Sequence, residues 1–443
     1  MIRAVVARTL AVLLVAAASS PRPVRADAVV GTGAADSCTE AALDSALAGG
    51  GSVTFNCGAS PVTITVTSTK TISADTAIDG GSLITISGGN SVGVFFVNTG
   101  VNFTVQNLTI ANGNSRYGGA ISNYGTVTAT NSTFSGNSAG SGGGIFNTGG
   151  MLTVTDSTFS GNSAFYGGGI NNSGGTLTVT DSTFSGNSAG YGVDAGGGGI
   201  FSTGGTVTIT NRTFSGNSGG GDGGAILNDG GTLTVTDSTF TGNSAVLLGG
   251  SIYNLYGTLT VTNTIVANSA SGGNCAGSVT DGGHNIDDGT TCGFTGTGCT
   301  ATTGTSFCNT NPVLDPTGLQ NNGGHTETIA LQARSPAINA GDEAVCAAPP
   351  VNNLDQRGYV RPGAGATRCS IGAYEYNGLP TCVGDCNGDG TVTVDEILTM
   401  VNIALGNTPV TACEAGDANH DGQITVDEIL TAVNNALNGC GGG

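Results

Sequence analysis

The chain has 443 residues, with 79 glycines, 12 cysteines, no tryptophan, only 9% charged side chains and a formal net charge of −19. Its single lysine is Lys70, so phosphate backbones and anionic membrane surfaces are repelled, which argues against nucleic acid as a partner. So much glycine with so little charge does not fit an ordinary mixed domain and points to a repeat.

Taken in chain order, Arg3 and Arg8 precede an apolar run from Thr9 to Ala18, and small-residue cleavage sites follow near Ala26 and Ala28. This is the pattern of a secretory signal peptide, placed at residues 1–28. No later stretch reaches the roughly 20 apolar residues a membrane-spanning helix needs. The mature chain is therefore expected to be secreted or held at the cell surface with no transmembrane segment. In that compartment the cysteines are expected to form disulfides. Cys38 is expected to pair with Cys57 and Cys346 with Cys369, while pairing within Cys275, Cys292, Cys299 and Cys308, or within Cys382, Cys386, Cys413 and Cys440, stays open.

The segments around Phe134, Phe159, Phe184, Phe214 and Phe240 are near copies, offset by 25, 25, 30 and 26 residues, and Ile110 and Ile265 extend the series. Each copy has a run such as Thr176-Leu-Thr-Val-Thr-Asp181, then Ser182-Thr-Phe-Ser-Gly-Asn187, then a glycine-rich segment ending in isoleucine. Alternation places Leu177 and Val179 on one face and threonines on the other, so one copy cannot bury its own apolar residues and must stack on its neighbours. A period near 25 residues predicts an all-β fold, a right-handed parallel β-helix with three short strands per coil, over residues 29–310 after an N-terminal cap. Asn137, Asn162, Asn187, Asn217, Asn243 and Asn268 recur in register and are expected to bond along the axis. The repeated Gly118-Gly-Ala-Ile121 and Phe134-Ser-Gly-Asn137 segments resemble the chlamydial polymorphic outer-membrane protein repeats, which implies a β-helical adhesin.

Residues 311–378 carry Asn311-Pro-Val-Leu-Asp-Pro316, Ser335-Pro-Ala-Ile-Asn-Ala-Gly-Asp342, Asp355-Gln-Arg-Gly358 and Ile371-Gly-Ala-Tyr-Glu375. They resemble the choice-of-anchor Q domain, a bacterial surface class, which implies display at the end of the β-helix.

Residues 379–443 contain two twelve-residue loops of the EF-hand type, Asp385 to Glu396 and Asp417 to Glu428. Calcium takes hard oxygens, supplied here by Asp385, Asn387, Asp389, Thr391, Thr393 and Glu396, and by Asp417, Asn419, Asp421, Gln423, Thr425 and Glu428. Two calcium ions are therefore expected. Each loop is followed by a helical pattern, but no helix enters the first, since Gly378-Leu-Pro-Thr-Cys-Val-Gly384 cannot form one. A duplicated loop and outgoing helix resembles a type I dockerin, which implies attachment to a cohesin-like or other surface protein.

No catalytic residue is assigned. The alternative is a polysaccharide-degrading enzyme, pectate lyase-like or a glycoside hydrolase. A lyase base would have to be Arg116 or Arg212, the only cations between residues 101 and 272, and a hydrolase pair would come from Asp156, Asp181 and Asp237. Those aspartates share one repeat register and are expected to sit at turns. Tyr117, Tyr166 and Tyr191 precede glycine-rich segments and offer rings for stacking on a polysaccharide. The threonine face, with Thr206, Thr208, Thr210, Thr232 and Thr258 among its members, resembles the arrays of ice-binding β-helices.

Overall fold

A computed structural model of the protein describes residues 27–379, 382–387, 391–418 and 422–440. One central coil shows how the pattern folds. Thr176–Thr180 is a strand with Leu177 and Val179 fully buried and Thr176 exposed. Asp181 then takes a left-handed backbone, φ 53°, which bends the chain before Thr183–Ser185 continues in the same sheet. Ser188–Gly196 and Ile200–Thr203 supply the other faces. Each such coil thus has four strand segments on three sheets, one segment more than the expected three. The additional one is the short stretch that follows the recurrent asparagine, as in Ser163–Tyr166.

The coils stack in parallel. Thr176–Thr180 pairs residue for residue with Met151–Thr155 on one side and Thr206–Thr210 on the other. The result is a parallel β-solenoid of about 11 turns with few helices. Glycine-rich corners follow from the closeness of the turns. A Cβ on Gly168 would lie 2.5 Å from the carbonyl oxygens of both Ser188 and Gly198, a distance no side chain tolerates.

Strand spacing of about 4.8 Å dictates the core. Phe134, Phe159, Phe184, Phe214 and Phe240 are fully buried, with successive ring centroids 4.5, 4.7, 4.8 and 4.6 Å apart. Ile110 continues the series on one side. On the other side Phe240 pairs with Val266, whereas Ile265 faces Thr239, because the final step is 26 residues and not 25.

The amide ladder forms as expected over five members: Asn137, Asn162, Asn187 and Asn217 each donate Nδ2–H to Oδ1 of the next, at 2.9–3.0 Å, ending on Asn243. Asn268 is not a rung. The Thr241–Ala267 pairing places it opposite Gly242, and both occupy the left-handed corner, φ 55° and 65°. A second ladder, Asn123 to Asn147 to Asn172 and Asn228 to Asn254, runs beneath the Ile-x-Asn motif. These chains satisfy most of the amides they bury, which would otherwise be costly, while Oδ1 of Asn228 has no partner among the described residues.

At the N-terminal end, α1 (Glu40–Leu47) is fastened to the solenoid by the lone lysine, whose Nζ lies 2.5 Å from Glu40 and 2.7 Å from Asp44. Residues 311–378 contain no further coil. They form turns, isolated bridges and the short helix α2 (Glu343–Ala347), and fold back along the solenoid wall. Thr213 Oγ1 donates to Gln356 Oε1 (2.6 Å), Gln356 Nε2 to Thr183 Oγ1 (2.8 Å), and Ala373 N to Thr239 Oγ1 (3.0 Å).

Both expected disulfides form, Cys38–Cys57 and Cys346–Cys369. The open sets resolve as Cys275–Cys292, Cys299–Cys308, Cys382–Cys440 and Cys386–Cys413.

Candidate functional site

The C-terminal residues hold a small core of their own: Val392, Met400, Ile403, Ile424 and Ala432 cluster with Cys382 and Cys413. Two helices frame it, α3 (Val394–Ala404) and α4 (Val426–Asn438). Each opens on a capping box, Thr393 with Glu396 and Thr425 with Glu428, an arrangement that satisfies the free amides of a first turn. The two halves pack by exchange. The space at Gly384, just before the first loop, is filled by Ala432 of α4 and by Val392, while that at Gly416, just before the second, is filled by Met400 of α3 and by Ile424.

Within each loop the first and last acidic residues turn inward. Asp385, Glu396, Asp417 and Glu428 are all buried. Glu396 Oε1 accepts from the amides of Cys386 and Asn387 (3.0 and 3.2 Å), Glu428 Oε1 from Ala418 N (2.9 Å), and Asp417 Oδ2 from Gly422 N (2.8 Å). Thr391, Gln423, Thr393 and Thr425 lie on the exposed side. Asp389, Asn419 and Asp421 fall outside the described residues, and so does His420. Among the described residues, no three His, Cys, Asp or Glu side chains group closely enough to hold a metal ion. The oxygen-only character of the residues that are placed nevertheless fits a hard cation.

The candidate acids of the solenoid lie elsewhere. Asp156, Asp181 and Asp237 all adopt left-handed turns, with φ between 46° and 53°, as Asp and Asn tolerate. They are not in an open cleft, because residues 311–378 lie across this wall: Thr326 Oγ1 donates to the carbonyl of Asp181, and Arg361 Nη1 stands 4.0 Å from Asp237 Oδ1. Burial pushes Asp181 and Asp237 each up to about 7 against the opposing pull of Arg212 and Arg361, and raises Asp156 as well. Arg212 is itself fully buried, and its guanidinium nitrogens have no hydrogen-bond partner among the described residues. It stands where neighbouring coils carry Ser182 and Ser238. Arg116 is exposed on a different sheet. The threonine face is only partly open, since Thr206, Thr232 and Thr258 are exposed while Thr208 is half-buried and Thr210 buried.

The open features lie on another face. Its outward row runs Phe96, Ser122, Phe146, Asn171, Phe201 on successive coils. Tyrosines lean onto it: Tyr124 lies 5.2 Å from Phe96, Tyr117 4.9 Å from Phe146, and Tyr166 5.0 Å from Phe201. Two of the three tyrosines singled out from the sequence thus belong to this row, and the side chain of Tyr191 lies outside what the structure describes. Phe96, Tyr124, Phe146 and Phe201 escaped sequence reasoning because only alternate coils carry a ring at this register.

Fold and surface together define a disulfide-bonded, repetitive β-solenoid with one wall covered by its own chain and a partly buried aromatic row, edged by the exposed Tyr117, on another. Residues 131–148, 181–203 and 213–229 match the repeat described as the Chlamydia polymorphic membrane protein repeat. No curated protein and no solved structure gives a significant match. No helix among the described residues is long and apolar enough to cross a membrane.

Proposed function

We propose that this is a secreted or surface-displayed, non-enzymatic adhesive protein whose solenoid binds a glycan or another surface partner, and whose C-terminal module binds two calcium ions. The observation that carries this reading is the contrast between walls: the acid-bearing side is closed by residues 311–378, whereas the aromatic row is not covered by that segment and presents the half-buried Phe96 and Phe146 and the exposed Tyr117. The match to a membrane-protein repeat supports surface display.

In the C-terminal module calcium would be held by Asp385, Asn387, Asp389, the Thr391 carbonyl, Thr393 through water, and Glu396. The second ion would take Asp417, Asn419, Asp421, the Gln423 carbonyl, Thr425 and Glu428. The exchange packing around Gly384 and Gly416 supports a duplicated unit of the dockerin type. Its two helices leave Val394 and Leu398, and correspondingly Val426 and Leu430, exposed, as a docking surface for a cohesin-like partner requires. Calcium at about a hundred times its dissociation constant would stabilise the module by about 2.7 kcal/mol for each site filled.

Calorimetry of the mature protein should detect two calcium sites that disappear in the Asp385→Ala, Asp417→Ala double variant, with proteolysis of the module accelerated by chelator. Unchanged affinity in that variant would refute the calcium assignment. Incubation with pectins, alginates and neutral glycans should give binding without new reducing ends or unsaturated products. Either product would establish the polysaccharide-degrading alternative instead.

A further inference from the structure

The aromatic row contains a cleft with a chemical polarity of its own. Near its N-terminal end, Phe96, Tyr117 and Tyr124 enclose about 200 Å³ together with Thr69, Ser122 and Arg116. Ser122 lies between Phe96 and Phe146 on the row and is only 6% exposed. Its hydroxyl makes no hydrogen bond with any described residue and is not closed off from the cleft, so it is free to bond a ligand there. The next polar step of the row, Asn171, has a buried Oδ1 without a partner among the described residues.

Charge singles out the same place. Arg116 and Arg212 are the only cations between residues 101 and 272, and Arg212 is fully buried. Arg116 is therefore the one exposed cation of the regular coils, in a chain of net charge −19. Its guanidinium sits over the Tyr117 ring, 5.1 Å from the centroid, so it is held at the cleft by its own platform. It has no carboxylate partner within salt-bridge distance among the described residues, and its fork geometry suits a bidentate carboxylate.

We propose that this cleft binds a uronic acid unit of an acidic polysaccharide. The rings of Phe96, Tyr117 and Tyr124 would cover the C–H face of the sugar, Ser122 would bond one of its hydroxyls, and Arg116 would pair with its carboxylate. A polymer suits the site better than an acidic peptide, because the half-buried rings Phe96 and Phe146 lie two coils apart on the same row, about 9.6 Å. That step is commensurate with the disaccharide repeat of an extended glycan lying along the axis. Repulsion from the acidic chain acts beyond the cleft and is screened over about 8 Å at physiological salt, whereas Arg116 acts in contact.

The proposal rests on the adhesive reading above. Calorimetry on the mature protein would use a defined oligogalacturonate, its fully methyl-esterified form and a glutamate-rich peptide. The free acid should bind about tenfold or more tightly than the ester. Arg116→Gln should erase that preference, and Tyr117→Ala should weaken both sugars. Both positions are exposed, and unchanged circular dichroism and melting would confirm folded variants. Equal affinity for acid and ester, indifference to Arg116→Gln, or binding of the peptide but of neither sugar would each overturn the proposal. If glycan adherence persists undiminished in both variants, the adhesive reading stands and the cleft is not its site. If the wild type binds no glycan at all, the cleft proposal and the glycan-binding form of the adhesive reading both fail.

Discussion

Substituting Asp237 by Asn tests the account of the covered wall at its most buried charge. The side chain has no exposed surface, and burial lifts it from an ordinary 3.8 to about 7, with Arg361 pulling the other way and Glu375 and Asp342 adding to the rise. An acid whose folded value is raised favours its neutral form when folded. Its effect is absent well below pH 3.8, grows as pH climbs, and levels off above pH 7, so the native state loses stability as pH rises. A rise of that size corresponds to roughly 4 kcal/mol at 1.36 kcal/mol per pH unit. Most of it develops between pH 5 and pH 8, where linkage gives about 2–3 kcal/mol.

Asparagine cannot ionise, and the fold already accepts it here: Asn211 and Asn263 hold the same corner on the adjoining coils, with φ of 54° and 50° against 46° for Asp237. The variant should therefore gain on the parent as pH rises. Urea unfolding of both proteins at pH 5, 6, 7 and 8 reads the difference directly, and pH effects from other groups cancel in it. A difference that stays constant within about 0.5 kcal/mol over this range, or that shrinks with pH, would refute a buried, ionising Asp237.

Phe184→Ala removes a fully buried ring stacked 4.7 and 4.8 Å from its neighbours; it should cost about 3–5 kcal/mol in urea unfolding, and a loss under 1 kcal/mol would contradict a continuous stack. Signal cleavage should follow Ala26, because Ala28–Val30 is already the first strand and Ala28 pairs with Val53. Intact-mass measurement of the exported protein should find Asp27 at its N-terminus.

The solenoid was legible wherever a residue recurs at the repeat period. Leu177 and Val179 point inward and the phenylalanines stack because each coil must present the same side chain at the same corner. Ile265 and Asn268 were misplaced by one residue, since a coil of 26 cannot be told from one of 25 without the pairing. The wall packing of residues 311–378 was not legible at all. That segment has almost no regular pairing, and its contacts run through single side chains such as Gln356 and Thr326. The aromatic row was hidden for the opposite reason, because a register that reads Phe, Ser, Phe, Asn, Phe does not look conserved from coil to coil even though every member faces the same way. In the two twelve-residue loops the outgoing helices were legible, and the packing of Gly384 and Gly416 against the opposite helix was not.

The polar character of the covered wall has a physical rationale. A repeat offers a folding segment many nearly identical places to dock, and apolar or threonine surfaces would not distinguish one coil from the next. Charge does. Arg212 occurs on one coil only, at a position that is serine or threonine on the coils around it, and it lies beside Asp181 and Asp156. Asp237 faces Arg361 of the returning segment, whose Nη1 also reaches Glu375 at 3.4 Å. Buried ionic groups of this kind rarely add net stability, since desolvation offsets most of their attraction. They do penalise every misregistered docking, in which one of these charges would be buried against a hydroxyl or a methyl. The raised values of Asp181 and Asp237 are then the cost of selecting one register among many, and the segment that brings Arg361 and Glu375 against Asp237 closes the wall that a solenoid of identical coils would leave ambiguous.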